Sequence, residues 1–348
     1  MKIKNIAYGV VALAALASCD TEYEPITIQK PFVYDEQYYA NIRAFKASDH
    51  EMSYAYFEGY AALEGIKGES NSSSFGNRIA GLPDSIDIVN MWMGAPDPIT
   101  MPTAWADMHF AQEKLGTRFV YHADAAHLNH WLEIDKTDNA LISFLAEHNI
   151  TRYNGNEEED ANGDSILLRD LRNYTDVAID LYAKKIVKAV LDGDLNGVDL
   201  DYEPNDSWWV PNHLPLVKKL GEYFGPKGAD PTKLLMVDYF GHTPAPECDE
   251  YCDYFIQQAY SDQTSPRLNP SFTIPEKHFI IEQFGNGSMG QDETKNRLLE
   301  YAAMEPGNGH HKAGCGVYYL GRNYYDNSGI PYNCYRKAIQ IMNPSVEK

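Results

Sequence analysis

Basic residues are scarce in this 348-residue chain, which has 29 Lys and Arg against 50 Asp and Glu and a formal net charge of −21. A chain of this sign repels nucleic acid and anionic membrane surfaces, so neither is an expected partner. Tryptophan and cysteine are also few, at five each, whereas tyrosine is plentiful, at 25. The composition favours a soluble surface and a neutral substrate, and the length suffices for one large domain or two small ones.

Long apolar runs are missing too, apart from one near the amino terminus. Two lysines precede it, and it is too short to span a bilayer comfortably, which is typical of a secretory signal. Leu16-Ala-Ser-Cys19 at its end resembles a bacterial lipobox. We therefore expect residues 1–18 to be a lipoprotein signal peptide, Cys19 to be lipidated and residues 19–48 to be a tether with a short element near Tyr38–Phe45. The expected location is the outer membrane, on the cell surface.

Four further cysteines follow, and no histidine lies beside them at the spacing of metal ligands. In an exported protein such cysteines can oxidise, and four of them allow three pairings. Proximity along the chain favours Cys248 with Cys252 and Cys315 with Cys334. Neither a metal nor a cofactor is predicted.

Eight short runs are rich in β-branched and aromatic residues, which predicts β-strands. They are residues 53–58, 85–92, 117–122, 195–204, 234–240, 254–260, 278–284 and 314–320. Amphipathic helices are predicted at 138–148, 174–191, 214–224, 292–304 and 332–342, and a solvated loop at 154–164. Strand followed by helix, about eight times, predicts an α/β fold with a single (β/α)8 TIM barrel over residues 49–348.

The fourth run, residues 195–204, contains the acidic residues that indicate a catalytic site. Side chains alternate along a strand, so Asp199, Asp201 and Glu203 face one side and apolar residues face the other. Burying three carboxylates is costly unless they share protons or hydrogen bonds. A catalytic site is the favoured reading, and a cation site or a set of loop caps is the alternative. Glu203 lies at the carboxyl end of the strand, where TIM barrels place their active sites.

Gly197-Val-Asp-Leu-Asp-Tyr-Glu203 resembles the fourth-strand signature of family 18 glycoside hydrolases, DxxDxDxE, except that Asn196 stands at the first position. Asn cannot carry charge or relay a proton, so the resemblance implies an altered acid network. Gln258-Ala-Tyr260 is similar to the Gln-x-Tyr of the family's endo-β-N-acetylglucosaminidases, where many chitinases have Met-x-Tyr. Residues 75–89 resemble the approach to strand two in Bacteroidetes-type lipoprotein members.

The resemblance implies a retaining mechanism without a protein nucleophile, in which the substrate's 2-acetamido oxygen attacks C1 and forms an oxazolinium. Glu203 is expected to act as acid and then as base. Asp201 is expected to hold the acetamide N–H, and Asp199 to share a proton with Asp201. Tyr260 is expected to hydrogen-bond the acetamide oxygen, which Gln258 helps to place.

Several further side chains are predicted to bind substrate. Tyr319 on the eighth run is expected to form the floor of a sugar subsite. Trp208 is expected to stack on a sugar, with packing under its loop as the alternative. Asp238 is expected to contact sugar hydroxyls, and His122 and Asp124 are further candidates at the end of the third run.

The function implied by the resemblance is cleavage of the GlcNAc-β1,4-GlcNAc core of N-glycans by a monomeric endo-β-N-acetylglucosaminidase. Its partner is an N-glycan or another GlcNAc-containing oligosaccharide. A chitinase is one alternative, but a chitin groove favours several Trp, and few of the five are placed to supply it. A non-catalytic surface glycan-binding lipoprotein is the other alternative. Loss of the terminal acid would mark that class, and Glu203 is present.

Overall fold

The computed structural model describes residues 33–58, 76, 78–155, 158–260, 268, 272–284, 297–324 and 328–345. The expected signal peptide, Cys19 and the first part of the tether lie outside these residues. Parts of the segments 75–89 and 292–304 lie outside them as well. No helix within the described segments is long and apolar enough to cross a membrane.

Eight parallel strands close into a barrel, which confirms the predicted (β/α)8 fold. In chain order the described strands are β1 (Met52–Tyr56), β2 (Ile88–Met91), β3 (Arg118–Asp124), β4 (Trp131–Glu133), β5 (Tyr153–Asn154), β6 (Glu158–Glu159), β7 (Ser165–Leu167), β8 (Gly197–Tyr202), β9 (Leu234–Tyr239), β10 (Tyr254–Gln258), β11 (His278–Gln283) and β12 (Gly314–Tyr318). The barrel consists of β1–β3 and β8–β12, in sequence order around the ring, and β1 closes it by pairing with both β2 and β12. Each barrel strand coincides with one of the eight predicted runs.

Helices surround the barrel. They are α1 (Glu36–Lys46), α2 (Pro102–Phe110), α3 (Asn139–Glu147), α4 (Thr175–Asp192), α5 (Trp209–Leu220), α6 (Leu298–Ala302) and α7 (Asn333–Met342). The predictions for α3, α4 and α7 are correct to within one residue at each end. Helix α5 begins five residues earlier than predicted. Its first turn is set by Asp206, whose side chain accepts a hydrogen bond from the Trp208 backbone N–H at 2.8 Å.

Helix α1 contains the short element expected near Tyr38–Phe45 and extends it at both ends. Tyr39 is buried and its ring packs edge-on to Phe110 with centroids 5.7 Å apart. Arg43 Nη1 donates a hydrogen bond to the Lys114 carbonyl at 2.8 Å. The folded domain therefore begins before residue 49, and the tether ends before α1.

A small antiparallel sheet, in the order β4-β7-β5-β6, occupies the connection between β3 and α4. The prediction of a plain loop at 154–164 missed β6 and the end of β5. Strands of two or three residues are too short to show an alternating pattern, so the sequence contains no signal for them. Trp131 packs edge-on to Tyr153 in this sheet, with ring centroids 5.0 Å apart.

The register of β8 and β9 brings the acidic strand into position. Gly197 begins β8 with φ +147°, and a Cβ there would lie 2.2 Å from the Leu234 carbonyl oxygen. Only glycine tolerates this backbone and this close approach. The pairing that starts at Gly197 and Leu234 continues up the two strands and sets Asp201 directly beside Asp238.

The four cysteines are buried thiols, so the predicted disulfides are wrong. All four lie within the main apolar core, where cysteine packs as a small hydrophobic side chain. Burial raises the pKa of Cys248 and of Cys315 to about 12, which disfavours the thiolate needed for oxidation. Proximity along the chain does not predict where side chains point.

Candidate active site

The acidic face of β8 points into the barrel, as the alternation predicts. Asp199 lies deepest and is fully buried, Asp201 is partly buried, and Glu203 follows the last residue of the strand. A cavity of about 380 Å³ opens above them at the carboxyl end of the barrel. It is lined by Tyr56, Trp92, His122, Asp124, Ala126, His127, Asp201, Glu203, Asn205, Gln258, Tyr260 and Tyr318.

Asp199 lies below this cavity and not in its lining. The Tyr54 hydroxyl donates a hydrogen bond to Asp199 Oδ2, and Asn90 Nδ2 donates to the same oxygen at 3.0 Å. Burial, and next the charge of Asp238, raises the pKa of Asp199 well above that of an ordinary aspartate. Asp199 is therefore a protonated or strongly hydrogen-bonded acid beneath the site.

The acid that pairs across from Asp201 is Asp238 on the neighbouring strand, and their carboxylate oxygens lie within 4.8 Å of each other. Gln258 Nε2 donates to Asp238 Oδ1 at 2.6 Å and lies 3.5 Å from Asp201 Oδ1. The Tyr56 hydroxyl donates to Asp238 Oδ2. Asp238 is fully buried and outside the cavity lining, so the predicted contact with sugar hydroxyls is wrong in position. Asp199 accepts hydrogen bonds from Tyr54 and Asn90, and its sharing of a proton with Asp201 stays a prediction.

Crowding of the acids raises their pKa values. Burial raises the pKa of Asp201 to about 8, and the negative charge of Glu203 is the next cause. Burial also raises the pKa of Glu203, and the charge of Asp124 adds to it, whereas a hydrogen bond from Gln258 lowers it. A glutamic acid with a raised pKa keeps its proton closer to neutral pH, as a general acid requires.

Carboxylate oxygens of Asp201, Glu203 and Asp238 lie within 4.8 Å of one another, a spacing that could also hold a cation. Tyr56 and Gln258 already donate into this cluster. The pKa values of all three acids are raised, which favours their protonated, neutral forms over a set of anions around a cation.

Gln258 and Tyr260 both line the cavity, where the sequence placed them. The ring of Tyr260 is roughly parallel to those of Phe240 and Tyr318, with centroids 6.0 and 6.2 Å away. Trp92 stands edge-on to Tyr318 at 5.2 Å. These rings give one wall of the cavity apolar faces suited to the C–H faces of a sugar.

The aromatic residue of the last strand in the cavity is Tyr318, so the prediction of Tyr319 is off by one residue. Inward-facing positions on β12 alternate and reach Tyr318, the final residue of the strand. Tyr319 has φ +64°, and its ring stacks on the Arg322 guanidinium at 3.5 Å. It lies behind the cavity wall and contacts Trp92 at 5.5 Å.

Trp208 packs under its loop. This is the alternative that the sequence analysis gave to stacking on a sugar. It is 8% exposed, and its indole Nε1 donates to the Arg172 carbonyl at 2.8 Å. Its ring meets Trp209 edge-on at 4.8 Å. Trp208 is therefore a core residue in this structure and has no face toward the cavity lining.

Strand β3 and the residues after it supply polar groups to the cavity lining. His122 Nε2 lies 3.7 Å from Asp201 Oδ2, and burial lowers the pKa of His122 to about 4, so the imidazole is neutral near pH 7. Asp124 Oδ2 lies 3.1 Å from His127 Nδ1. Sequence reasoning named His122 and Asp124 but missed His127 and Tyr56. The alternation of side chains along β1 could have indicated Tyr56, because it lies two residues after Tyr54 on the same inward face.

Asn196 lies at the opposite end of β8 from the cavity. Its Oδ1 accepts hydrogen bonds from the Phe119 backbone N–H at 2.8 Å and from Gln112 Nε2 at 3.0 Å. By alternation it shares the outward face with Val198, away from the acids. The expectation that Asn196 alters the acid network is therefore wrong, because its role is to join β3 to β8.

The barrel and its cluster of acids, facing aromatic rings at the carboxyl ends of the strands, define a TIM-barrel glycoside hydrolase. The family model for glycoside hydrolase family 18, BT1044-like, matches residues 16–269. The chain belongs to this family, as the strand signature predicted.

Solved structures agree on the fold. BT1044, as a Glu-to-Gln variant, superposes with a TM-score of 0.62 at 19% identity, covering 91% of this chain and 97% of that one. The endo-β-N-acetylglucosaminidase of Cordyceps militaris gives a TM-score of 0.57 at 18% identity, covering 90% and 98%. A search of curated proteins gave no match.

Proposed function

We propose that the protein is a retaining endo-β-N-acetylglucosaminidase that cleaves the GlcNAc-β1,4-GlcNAc core of N-glycans. The observation that carries this proposal is that Gln258 and Tyr260 of the sixth barrel strand line the same cavity as Asp201 and Glu203. The C. militaris enzyme gives further support. An Asp-to-Asn, Glu-to-Gln double variant of it, substituted two positions apart, was solved with fucosyl-N-acetylglucosamine-Asn. Asp201 and Glu203 have the same spacing.

The chemistry follows from the positions of the two acids on one strand face. The acetamide oxygen of the substrate attacks C1, the glycosidic C1–O bond breaks, and Glu203 gives its proton to the leaving oxygen. The product of this step is an oxazolinium, whose positive N–H is stabilised by Asp201. Water then adds to C1 as the bond between C1 and the acetamide oxygen breaks. Glu203 takes a proton from that water, and the acetamide is restored.

The cavity lining contains few of the rings that a long chitin groove favours. The volume of the cavity is about 380 Å³, and among the described residues that line it Trp92 is the one tryptophan. Tyr260 and Tyr318 supply the remaining large rings, while Asp124 and Asn205 supply polar groups for hydroxyls. This arrangement supports cleavage at a defined core linkage over binding along an extended chitin chain.

Product analysis tests the proposal directly. The purified protein is incubated with high-mannose and with complex N-glycoproteins, and the products are measured by mass spectrometry. One GlcNAc should remain on the asparagine, and the released glycan should end in the other GlcNAc. The Glu203→Gln variant is the matched control. Release of chitobiose from chitin without attack on either glycoprotein, or binding without cleavage, contradicts the proposal.

We further propose that the protein is exported and anchored to the outer membrane through lipid on Cys19. The supporting observations are the lysines, the short apolar run and Leu16-Ala-Ser-Cys19. Metabolic labelling with a fatty acid should mark the wild type and not Cys19→Ala. A wild-type protein without label in the soluble fraction contradicts the anchor.

A further inference from the structure

Phe240 is an exposed aromatic residue at the mouth of the barrel, immediately after β9. It is 39% exposed, and it lies outside the described lining of the cavity. By alternation it continues the inward face of β9 above the buried Asp238. A single exposed ring is common on protein surfaces, so its neighbours decide what it can bind.

The pairing of β8 and β9 sets Phe240 beside Glu203. Asp201 lies opposite Asp238, and the Phe240 backbone N–H donates to the Tyr202 carbonyl at 3.4 Å. The same stagger extends one step beyond the last paired residues of the two strands, to Glu203 and Phe240. Phe240 therefore stands at the same level of the barrel as the acid that is proposed to protonate the leaving oxygen.

The ring of Phe240 also joins the aromatic wall of the cavity. It is inclined by 25° to the ring of Tyr260, with centroids 6.0 Å apart, and Tyr260 is inclined by 26° to Tyr318 at 6.2 Å. Tyr260 and Tyr318 line the cavity, whereas Phe240 does not. The set of roughly parallel rings therefore continues beyond the cavity onto the exposed surface.

Backbone hydrogen bonds on both sides of Phe240 fix its position. The His242 backbone N–H donates to the Phe240 carbonyl at 2.8 Å, which closes a three-residue turn around Gly241. Gly241 has φ +72°, the left-handed backbone that such a γ-turn requires and that glycine adopts at little cost. A residue that is already fixed loses little conformational entropy when a ligand binds to it.

We propose that Phe240 is a stacking platform for the GlcNAc that carries the leaving oxygen, the sugar that stays on the asparagine. The inference rests on the proposed function, which places the other GlcNAc in the cavity. Glu203 gives its proton to the oxygen between the two sugars, so the leaving sugar extends from the cavity beside Glu203, where Phe240 stands. The flat apolar ring suits the C–H face of a pyranose.

Two substrates that differ in the leaving sugar test the platform. On an N-glycopeptide, Phe240→Ala should lower kcat/KM roughly 3–30-fold through KM, because the contact is lost in the ground state and the transition state alike. The oxazoline of the same released glycan has no leaving sugar, so this loss should disappear when the oxazoline is hydrolysed. Phe240→Tyr keeps the ring face and should restore the wild-type KM on the glycopeptide.

Ile99→Ala is the matched control, because Ile99 is 86% exposed on the loop after β2, at the same end of the barrel. It should change neither rate. A wild-type kcat/KM of Phe240→Ala on the glycopeptide overturns the inference. An equal rise of KM for the oxazoline overturns it as well, because Phe240 would then bind a sugar on the other side of the cleaved bond.

Binding measured without cleavage separates this inference from the proposed function. In saturation-transfer NMR with GlcNAc-Asn as the probe, the signal of the sugar ring protons should weaken in Phe240→Ala and not in Ile99→Ala. If that holds while the wild type leaves N-glycans intact, the proposed function fails and the platform stands. If the wild type cleaves N-glycans and Phe240→Ala binds the probe as well as the wild type does, the inference fails. Phe240→Leu, which keeps an apolar side chain without a flat face, serves in both experiments if Phe240→Ala does not fold.

Discussion

The two ends of the barrel differ in whether their buried charges are paired with charges of opposite sign. At the amino ends of the strands, Lys312 is 1% exposed and forms an ion pair with Glu51. Its Nζ also donates to the carbonyls of Ala302 and Met304, both at 3.0 Å. At the carboxyl ends, Asp201 and Glu203 crowd together with no cation in hydrogen-bond contact among the described residues, and their pKa values rise.

This difference separates stability from chemistry along the same strands. Paired charges at the amino ends hold the barrel together. Crowded acids at the carboxyl ends are costly to bury, and their pKa values are raised, which is the direction that acid catalysis needs. Substitutions at the two ends should therefore affect different measurements, and the following predictions test that division.

The largest effect is expected at the carboxyl end, for Glu203→Gln. General acid–base catalysis is typically worth about 10²–10⁴-fold, so kcat on an N-glycan should fall by at least that factor. The free energy of unfolding should stay close to that of the wild type, because a buried acid is replaced by a neutral group of the same shape. Parallel measurements of kcat and urea unfolding check this, and a near wild-type rate would assign the acid elsewhere.

At the amino end, Lys312→Met should lower the stability of the protein and leave its catalytic rate unchanged. Removing one partner of a buried ion pair costs about 3–5 kcal/mol, since Glu51 and two carbonyls lose their donor. The rate per folded molecule should be unchanged, because Lys312 lies at the far end of the barrel from the cavity. Urea unfolding and active-site titration measure the two quantities separately. A loss of rate without a loss of stability contradicts the division.

Stability should also depend on pH through the carboxyl end. The pKa of Asp201 is raised to about 8, so the folded chain binds a proton that the unfolded chain, with an ordinary aspartate near 4, has released. The free energy of unfolding should therefore fall as pH rises from about 4 to 8, by at most about 1.4 kcal/mol per pH unit for this proton. Asp201→Asn should flatten this slope in unfolding curves measured across the range. If the free energy of unfolding of Asp201→Asn falls with pH as steeply as that of the wild type, the proton is bound by another group.

The smallest effect is expected at Asn196. Asn196→Ala leaves the Phe119 N–H without its acceptor, which should cost about 1–3 kcal/mol. Neither Asn196→Ala nor Asn196→Asp should move the pH–rate profile, because the side chain does not reach the acids. A shift of the pH–rate profile in Asn196→Asp would show that the side chain at this position interacts with the acids.

Much of the fold and part of the site could be predicted from the sequence. Alternation alone orients Asp199, Asp201 and Glu203 together, since a strand has a fixed period of two. The pairing of Asp201 with Asp238 could not be predicted, because it depends on the stagger between β8 and β9, and that stagger is set by close packing at Gly197. The choice between Tyr318 and Tyr319 depends on where β12 ends, and strand ends are poorly specified by composition.

The closing of the barrel by β1 and β12 joins strands from the two ends of the described domain. Tyr54 and Tyr56, the donors to Asp199 and Asp238, lie on the first barrel strand, which pairs with the last barrel strand. Tyr318 on that last strand lies edge-on to Tyr56, with ring centroids 5.3 Å apart. The acids of β8 and β9 therefore obtain their tyrosine donors from the strand whose pairing with β12 closes the ring, so the site is complete only in the closed barrel.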